Sequence, residues 1–260
     1  MRAPHASAGQ MASRDWDAAT YDRVSDPQFQ WALEQLEPHQ FRGDEVVLDA
    51  GCGTGRVTAE LLRRVPQGRV YGVDVARSMV AHARERLGSG VTILCQDLVE
   101  LRLPEPVDVV FSNATFHWIH DHDALFAALR RTLKPQGRLI AQCGGTGNVA
   151  SFMRAADSVV REEPFAPYFE GWRWPGRFAT AQDTAARLRS AGFTEISCWL
   201  EPRPVTPADP APFVQAVCLV RHVDQLPVQL RASFRDRVLA RLGSPVTIDY
   251  VRLNMVARNP

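Results

Sequence analysis

The segment VVLDAGCGTGRVT, residues 46–58, constrains this chain more than any other part of it. A short apolar run ends in Asp49, passes through Gly51, Gly53 and Gly55, and enters a helical pattern without a break. Glycines at such a point let backbone N–H groups and a helix N-terminus come close to a ligand. Downstream, apolar runs alternate with amphipathic stretches: RVYGVD, SMVAHARERL, VTILCQD, VDVVFSNA, ALFAALRRTL and RLIAQCGG. That alternation predicts βαβ units on a parallel sheet, and near-continuous apolar runs such as VVLDA suit strands buried on both faces. A doubly wound α/β core is the expectation.

A dinucleotide-binding fold would place pyrophosphate at the same glycine loop, but its G-x-G-x-x-G fingerprint needs a third glycine at position 56. Arg56 stands there, so a nicotinamide dehydrogenase is disfavoured. Thirty basic against twenty-nine acidic residues leave a net charge of +1, which offers no global field for nucleic acid or a membrane surface. A small-molecule partner fits that balance. Lys134 is the only lysine, so the basic residues are almost all arginine. Cys52, Cys95, Cys143, Cys198 and Cys218 are odd in number and widely spaced, as expected of free thiols in a reducing compartment. No stretch approaches the ~18 apolar residues of a membrane span and the start lacks an apolar signal region, so a cytoplasmic location is expected. Oligomeric state is not legible.

Residues 1–13 read as a disordered tail and 14–260 as a single domain, with cap elements at about 14–40, 145–180 and 208–243. In the first of these, Asp26 is expected as a helix N-cap with Pro27 at the first helical position. Residues 145–180, rich in aromatics, glycine and proline, are too long for an ordinary connection. DTAARLRSAGF then predicts a helix stopped at Gly192, TEISCWLEP a strand, PFVQAVCLVRHV and PVQLRASFRDRVLARLG two helices, and VTIDYVRLNMVARN a closing strand.

The acidic G-x-G-x-G loop, the strand ends at Asp74 and Asp97, the VDVVFSNATFHWI strand and the LKPQGRLIAQ turn together resemble class I S-adenosylmethionine-dependent methyltransferases over about residues 44–143. The resemblance implies a Rossmann-like seven-stranded mixed sheet with an antiparallel last strand and S-adenosylmethionine as cofactor. It implies that Asp49, Gly51, Cys52, Gly53 and Gly55 border the methionine and ribose portions. Asp74 would accept the ribose diol, which a carboxylate's four lone pairs allow, with Val75 beside it. Asp97 would accept from the adenine amine while Leu98 packs nearby. Asn113, at the end of the fourth strand, would sit near the transferable methyl. Gln136 stands where the family's turn usually has glycine.

On the acceptor side, Tyr21 and Gln28 in YDRVSDPQ resemble the N-terminal helix of carboxyl methyltransferases of the trans-aconitate and juvenile hormone acid types. Position then implies Tyr21 toward the cofactor, and Gln28 and Trp118 as donors clamping a substrate carboxylate. Neither can remove a proton, which suits an anionic nucleophile. His117 is the residue to suspect as catalytic if the nucleophile is instead a hydroxyl or amine; the rival reading is methylation of a hydroxyl, amine or carbon of a secondary metabolite. A third reading is a protein that binds the cofactor without turnover. The FHWIHDHD run holds metal-ligand types, but HxxHxH on a tight turn lacks helical zinc spacing, so no metal is expected. Asp121 or Asp123 is expected to cap the next helix, with His120 and His122 on a solvated rim. Arg154, Arg173 and Arg177 are available for further substrate carboxylates, whereas the aromatics of the insertion equally suit an apolar pocket with one polar head.

Overall fold

The structure is a computed structural model that describes Asp22 and residues 25–260; the expected tail and Tyr21 lie outside the described residues. The element order is α1 (Asp26–Leu36), β1 (Val46–Ala50), α2 (Arg56–Arg64), β2 (Arg69–Asp74), α3 (Arg77–Leu87), β3 (Thr92–Cys95) and β4 (Val107–Asn113). It continues with α4 (His122–Thr132), β5 (Leu133–Gly144), α5 (Ala150–Val160), α6 (Ala181–Ser190) and β6 (Thr194–Pro202). The chain ends with α7 (Pro210–Phe213), α8 (Val220–Val223), α9 (Val228–Leu242) and β7 (Val251–Arg258).

The seven strands form one sheet in the order β3-β2-β1-β4-β5-β7-β6. The first five are parallel, and β7 runs antiparallel between β5 and β6, so the expected mixed sheet is present. Alternation along the buried strands explains both covered faces. Val47, Val109, Phe111 and Ile140 pack with Ala32 and Leu36 of α1 and Leu61 of α2. Leu48, Val110, Leu139 and Ala141 pack with Leu125 and Leu129 of α4 and Leu188 of α6. Strand β6, at the edge, is largely exposed.

A second apolar cluster lies outside the sheet. Phe152 of α5, Phe165, Phe169, Phe213, Leu219 and Phe234 of α9 bury one another and reach Trp31 of α1 and Tyr250 just before β7. The insertion after β5 and the helices after β6 therefore share a core. The expected PFVQAVCLVRHV helix is broken: α7 passes into a π turn over Val214–Cys218 before α8 resumes. Ser25, not Asp26, occupies the N-cap of α1, and Asp26 lies in the first turn, where its carboxylate pairs with Arg56 at 2.8 Å. Among the described residues no helix is long and apolar enough to cross a membrane.

The strand order reverses between β1 and β4, and in open α/β sheets ligands bind outside the carboxyl ends of the strands at that point. Asp49 near the end of β1 and Asn113 at the end of β4 flank it.

Candidate active site

Two cavities meet at the switch point. The first is lined by the loop after β1 (Asp49, Gly51, Cys52, Gly53), by Asn113 and by Gln28 and Phe29 of α1. The loop is shaped by left-handed backbone: φ is +86° at Gly51, +52° at Gly53 and +81° at Gly55. At Gly51 a Cβ would lie 2.0 Å from the Thr115 hydroxyl, so only glycine fits between the loop and the β4 exit. At Gly53 a Cβ would meet nothing within 4 Å, because that position opens to the cavity. Gly55 does not line the cavity; it caps α2 and packs against Ala83 of α3.

Asp74 ends β2 beside this loop. One of its carboxylate oxygens accepts the Gly53 N–H at 3.0 Å and the other the Ala76 N–H at 2.8 Å, so it ties the glycine loop to the turn before α3 while keeping lone pairs for a ligand. Burial pushes its pKa up. Val75 next to it is 48% exposed, an apolar side chain half open to solvent. Asp97 is exposed and accepts the Val99 N–H at 3.1 Å, while Leu98 is buried. Asp49 is itself buried, accepts the Thr58 hydroxyl at 2.6 Å, and is raised to about 7 by burial, with the Asp74 charge adding to the shift.

Arg56, the residue that departs from the dinucleotide fingerprint, holds α1 over this cavity. Its guanidinium donates to the Asp22 carbonyl at 2.9 Å and to Asp26 at 2.8 Å, and lies 4.4 Å from the centre of the Phe29 ring. From the other side Asn113 Nδ2 donates to the Gln28 carbonyl at 2.9 Å. The Gln28 Oε1 and Asn113 Oδ1 atoms are buried without a hydrogen-bond partner.

The second cavity shares Gln28 and Ala114 with the first and is otherwise lined by cap and β7 residues, with His117 and Trp118. Gln28 Nε2 lies 3.5 Å from the Tyr250 hydroxyl. His117 is buried, its Nδ1 accepts the Gly144 N–H at 3.3 Å, and burial together with the Arg252 charge lowers its pKa to about 3. An accepting Nδ1 on a neutral ring puts the proton on Nε2, so the ring offers a donor there. Trp118 sits between the His117 ring, 4.8 Å away centre to centre, and that of Trp174 at 5.6 Å.

The structure thus gathers Asp49, Gly51, Cys52, Gly53 and Asn113 at one cavity, His117 and Trp118 at the other, and Gln28 at both. The histidines of the FHWIHDHD run do not converge. His120 is exposed, but His122 is buried rather than on the rim, because its Nε2 bonds the Phe116 carbonyl at 3.0 Å and its ring packs on Phe126. Asp121 caps α4, accepting the Ala124 N–H at 2.8 Å, and Asp123 pairs with Arg187. Of the arginines considered for substrate, Arg154 and Arg173 are exposed, and Arg177 serves the backbone carbonyls of His117 and His120. The cation that does line the second cavity is Arg252 of β7, which sequence reasoning passed over. An arginine flanked by Val251 and Leu253 in the expected closing strand was the available signal.

A seven-stranded sheet of this order, with a glycine loop after β1 and acidic residues at the ends of β1 and β2, defines a class I methyltransferase fold. Residues 47–137 match the methyltransferase domain family. The chain is 34% identical over 186 residues, covering 72% of this chain and 67% of the relative, to a trans-aconitate 2-methyltransferase of Methylobacterium nodulans. It is 32% identical over 134 residues, 50% of this chain and 49% of the relative, to a malonyl-[acyl-carrier protein] O-methyltransferase of Priestia megaterium. In fold it is similar to the Haemonchus contortus phosphoethanolamine N-methyltransferase 2 in complex with phosphomonomethylethanolamine and S-adenosylhomocysteine. The TM-score is 0.63 at 19% identity, over 94% of this chain and 57% of that one. The chain belongs to the class I S-adenosylmethionine-dependent methyltransferases; it is an enzyme of that family and uses S-adenosylmethionine.

Proposed function

We propose that the chain methylates a carboxylate of a small molecule, forming a methyl ester. One observation carries this reading: among the described residues lining the second cavity there is no carboxylate, and the one histidine is neutral with its proton on Nε2. Cys218, also in the lining, is no base either, since burial pushes its thiol up to about 12. A hydroxyl or protonated amine acceptor would need a base there; a carboxylate needs none. The trans-aconitate and malonyl-carrier relatives bear names of carboxyl O-methyltransferases, which agrees.

The first cavity fits the cofactor. Gln28 Oε1 and Asn113 Oδ1 are buried acceptors lacking a donor, which an ammonium would satisfy. The open position at Gly53 leaves room beside Asp74, whose remaining lone pairs suit a ribose diol. Asp97 and the exposed Val75 then serve the base. When bound, the cofactor supplies an electrophilic methyl on a sulfonium. Gln28, at the junction, orients the acceptor carboxylate with its amide N–H, and Trp118 closes the side of the cavity. Helix α1 and the cap exclude water, so the chain's main contribution is placing an oxygen in line with the methyl. His117 acts as a donor to the acceptor rather than as a base.

The test is Gln28→Ala and Trp118→Ala assayed on a panel of carboxylic acids with S-adenosylmethionine. Ester formation is expected to fall at least 100-fold in both, while in Trp118→Ala the affinity for S-adenosylhomocysteine changes less than 5-fold. Methylation confined to alcohols or amines, with an acid limb in the pH profile that His117→Gln abolishes, would overturn the proposal.

A further inference from the structure

Trp174 faces two environments. It lines the second cavity, and the ring of His222 lies 5.6 Å from its own, centre to centre, at an angle of 33°. Gln28 and Ala114 mark the end of that cavity nearest the cofactor, whereas Trp174 belongs to the second cavity alone. His222, on α8, is fully buried and ringed by aromatics: Trp172 at 4.8 Å, Phe234 at 5.9 Å, Phe152 at 6.0 Å and Phe169 at 6.2 Å. Neither its Nδ1 nor its Nε2 has a hydrogen-bond partner, and the same holds for Trp174 Nε1, which is also buried.

Three polar nitrogens of two neighbouring rings thus lie out of water without a bond, a state that folding disfavours and that a fitting ligand group relieves. Packing alone sets the seat of the indole. Gly176 makes room for it, since a Cβ there would lie 2.4 Å from Trp174 Nε1. Backbone ties hold the chain on either side, from the Trp172 N–H to the Phe169 carbonyl at 3.0 Å and from the Arg177 N–H to the His117 carbonyl at 2.7 Å. Between them residues 173–176 make no backbone hydrogen bond among the described residues, so the indole can turn without breaking one. Burial lowers the His222 pKa to about 3, so the ring is neutral and carries one N–H and one lone pair. With the indole N–H this makes two donors and one acceptor, which a hydroxyl can serve in both senses. A carboxylate there would face the imidazole lone pair, and an ammonium would face both N–H groups.

Resting on the reading of the second cavity as the acceptor site, we propose that Trp174 and His222 form a distal subsite for an uncharged hydroxyl at the end of the acceptor remote from the methylated carboxylate. The indole N–H and the imidazole determine specificity, because an acid without the hydroxyl leaves them unpaired and is disfavoured. They take no part in the transfer of the methyl group. The basic groups nearby serve other walls: Arg221 lies 5.1 Å over the Trp118 ring and Arg252 4.8 Å over that of Trp31. A hydroxyl beside Trp174 therefore sets no limit on the number of carboxylates the acceptor carries.

Matched pairs of acids, titrated into the complex with S-adenosylhomocysteine, test the subsite. The pairs are 4-hydroxybenzoate and benzoate, 4-hydroxyphenylacetate and phenylacetate, and 3-(4-hydroxyphenyl)propanoate and 3-phenylpropanoate. In at least one pair the hydroxy acid is expected to bind the intact protein at least 10-fold more tightly. Trp174→Phe and His222→Phe keep a ring and lose the nitrogens. Each is expected to cut that preference below 3-fold while affinity for the plain acid and for S-adenosylhomocysteine changes less than 3-fold. A purely structural role would move Tm and leave the preference intact. Trp174→Phe and the intact-protein pairs carry the test if His222→Phe unfolds. No pair reaching 10-fold, or a preference that survives in the folded variants, overturns the subsite, and ester formation from the plain acids then decides the carboxyl reading separately. Methylation of the phenolic oxygen in place of the carboxylate overturns both.

Discussion

Gly51 and Gly53 are two residues apart on one loop, yet alanine should harm them in different ways. At Gly51 the new Cβ would lie 2.0, 2.3 and 2.6 Å from Oγ1, Cγ2 and Cβ of Thr115, and φ there is +86°. A left-handed alanine costs about 1–2 kcal/mol and overpacking about 1–3 kcal/mol more, so Gly51→Ala should lose about 2–5 kcal/mol of stability. For a chain of this size each kcal/mol lowers Tm by roughly 2–4 °C. At Gly53 the Cβ meets nothing within 4 Å, leaving only the backbone cost of about 1–2 kcal/mol. That Cβ enters the first cavity, however, so Gly53→Ala should weaken S-adenosylhomocysteine binding at least 10-fold. Thermal unfolding with and without S-adenosylhomocysteine, followed by calorimetric titration, separates the two. Thr115→Gly in the Gly51→Ala background removes all three contacting atoms and should recover part of the lost Tm. A Gly51→Ala protein as stable as the parent would refute the packing argument, and a Gly53→Ala protein that binds normally would refute the assignment of the loop as the cofactor cradle.

Three further outcomes are expected. Asp49, raised to about 7 in the fold against ~3.9 for a free aspartate, binds more protons folded than unfolded. Its contribution to stability therefore falls between about pH 4 and pH 7, while affinity for the cationic cofactor rises through pH 7; Asp49→Asn should flatten both curves in denaturation and titration series. Gln136 adopts φ +64° at an exposed position near the start of β5, so Gln136→Gly should be neutral or stabilising by up to about 1 kcal/mol in urea unfolding, whereas Gln136→Val should destabilise. Asp121→Ala removes the N-cap of α4 and should cost about 1 kcal/mol in the same assay with cofactor binding unchanged.

The sheet was legible because its determinants are local. VVLDA and VDVVF are buried runs that only a doubly covered strand tolerates, and TEISCWLEP forms the strand Thr194–Pro202. The glycine loop was legible for the same reason: Gly51 and Gly53, singled out as a close approach to a ligand, line the first cavity. Failures came where tertiary contacts set the outcome. His122 sits beside a charged turn, but one face of α4 must pack on the sheet, and that face draws the imidazole in to bond the Phe116 carbonyl. The helix after Pro210 breaks into a π turn as Phe213, Val214 and Cys218 each take a place in the cap core.

The acceptor side was the least legible part, for a physical reason. Its polar groups come from residues 28, 117, 142 and 252, brought together by the antiparallel insertion of β7 between β5 and β6. No periodicity within one segment reports that register. Arginines near the insertion were the natural candidates, yet Arg154 and Arg173 stay exposed, and an exposed guanidinium pairs weakly. Arg252 differs because Trp31 and Gln142 replace the water around it, so its charge acts through a medium that screens little. The cofactor half of such a site is thus written in short motifs on consecutive strands, whereas the acceptor half depends on which distant side chains a single strand register sets side by side.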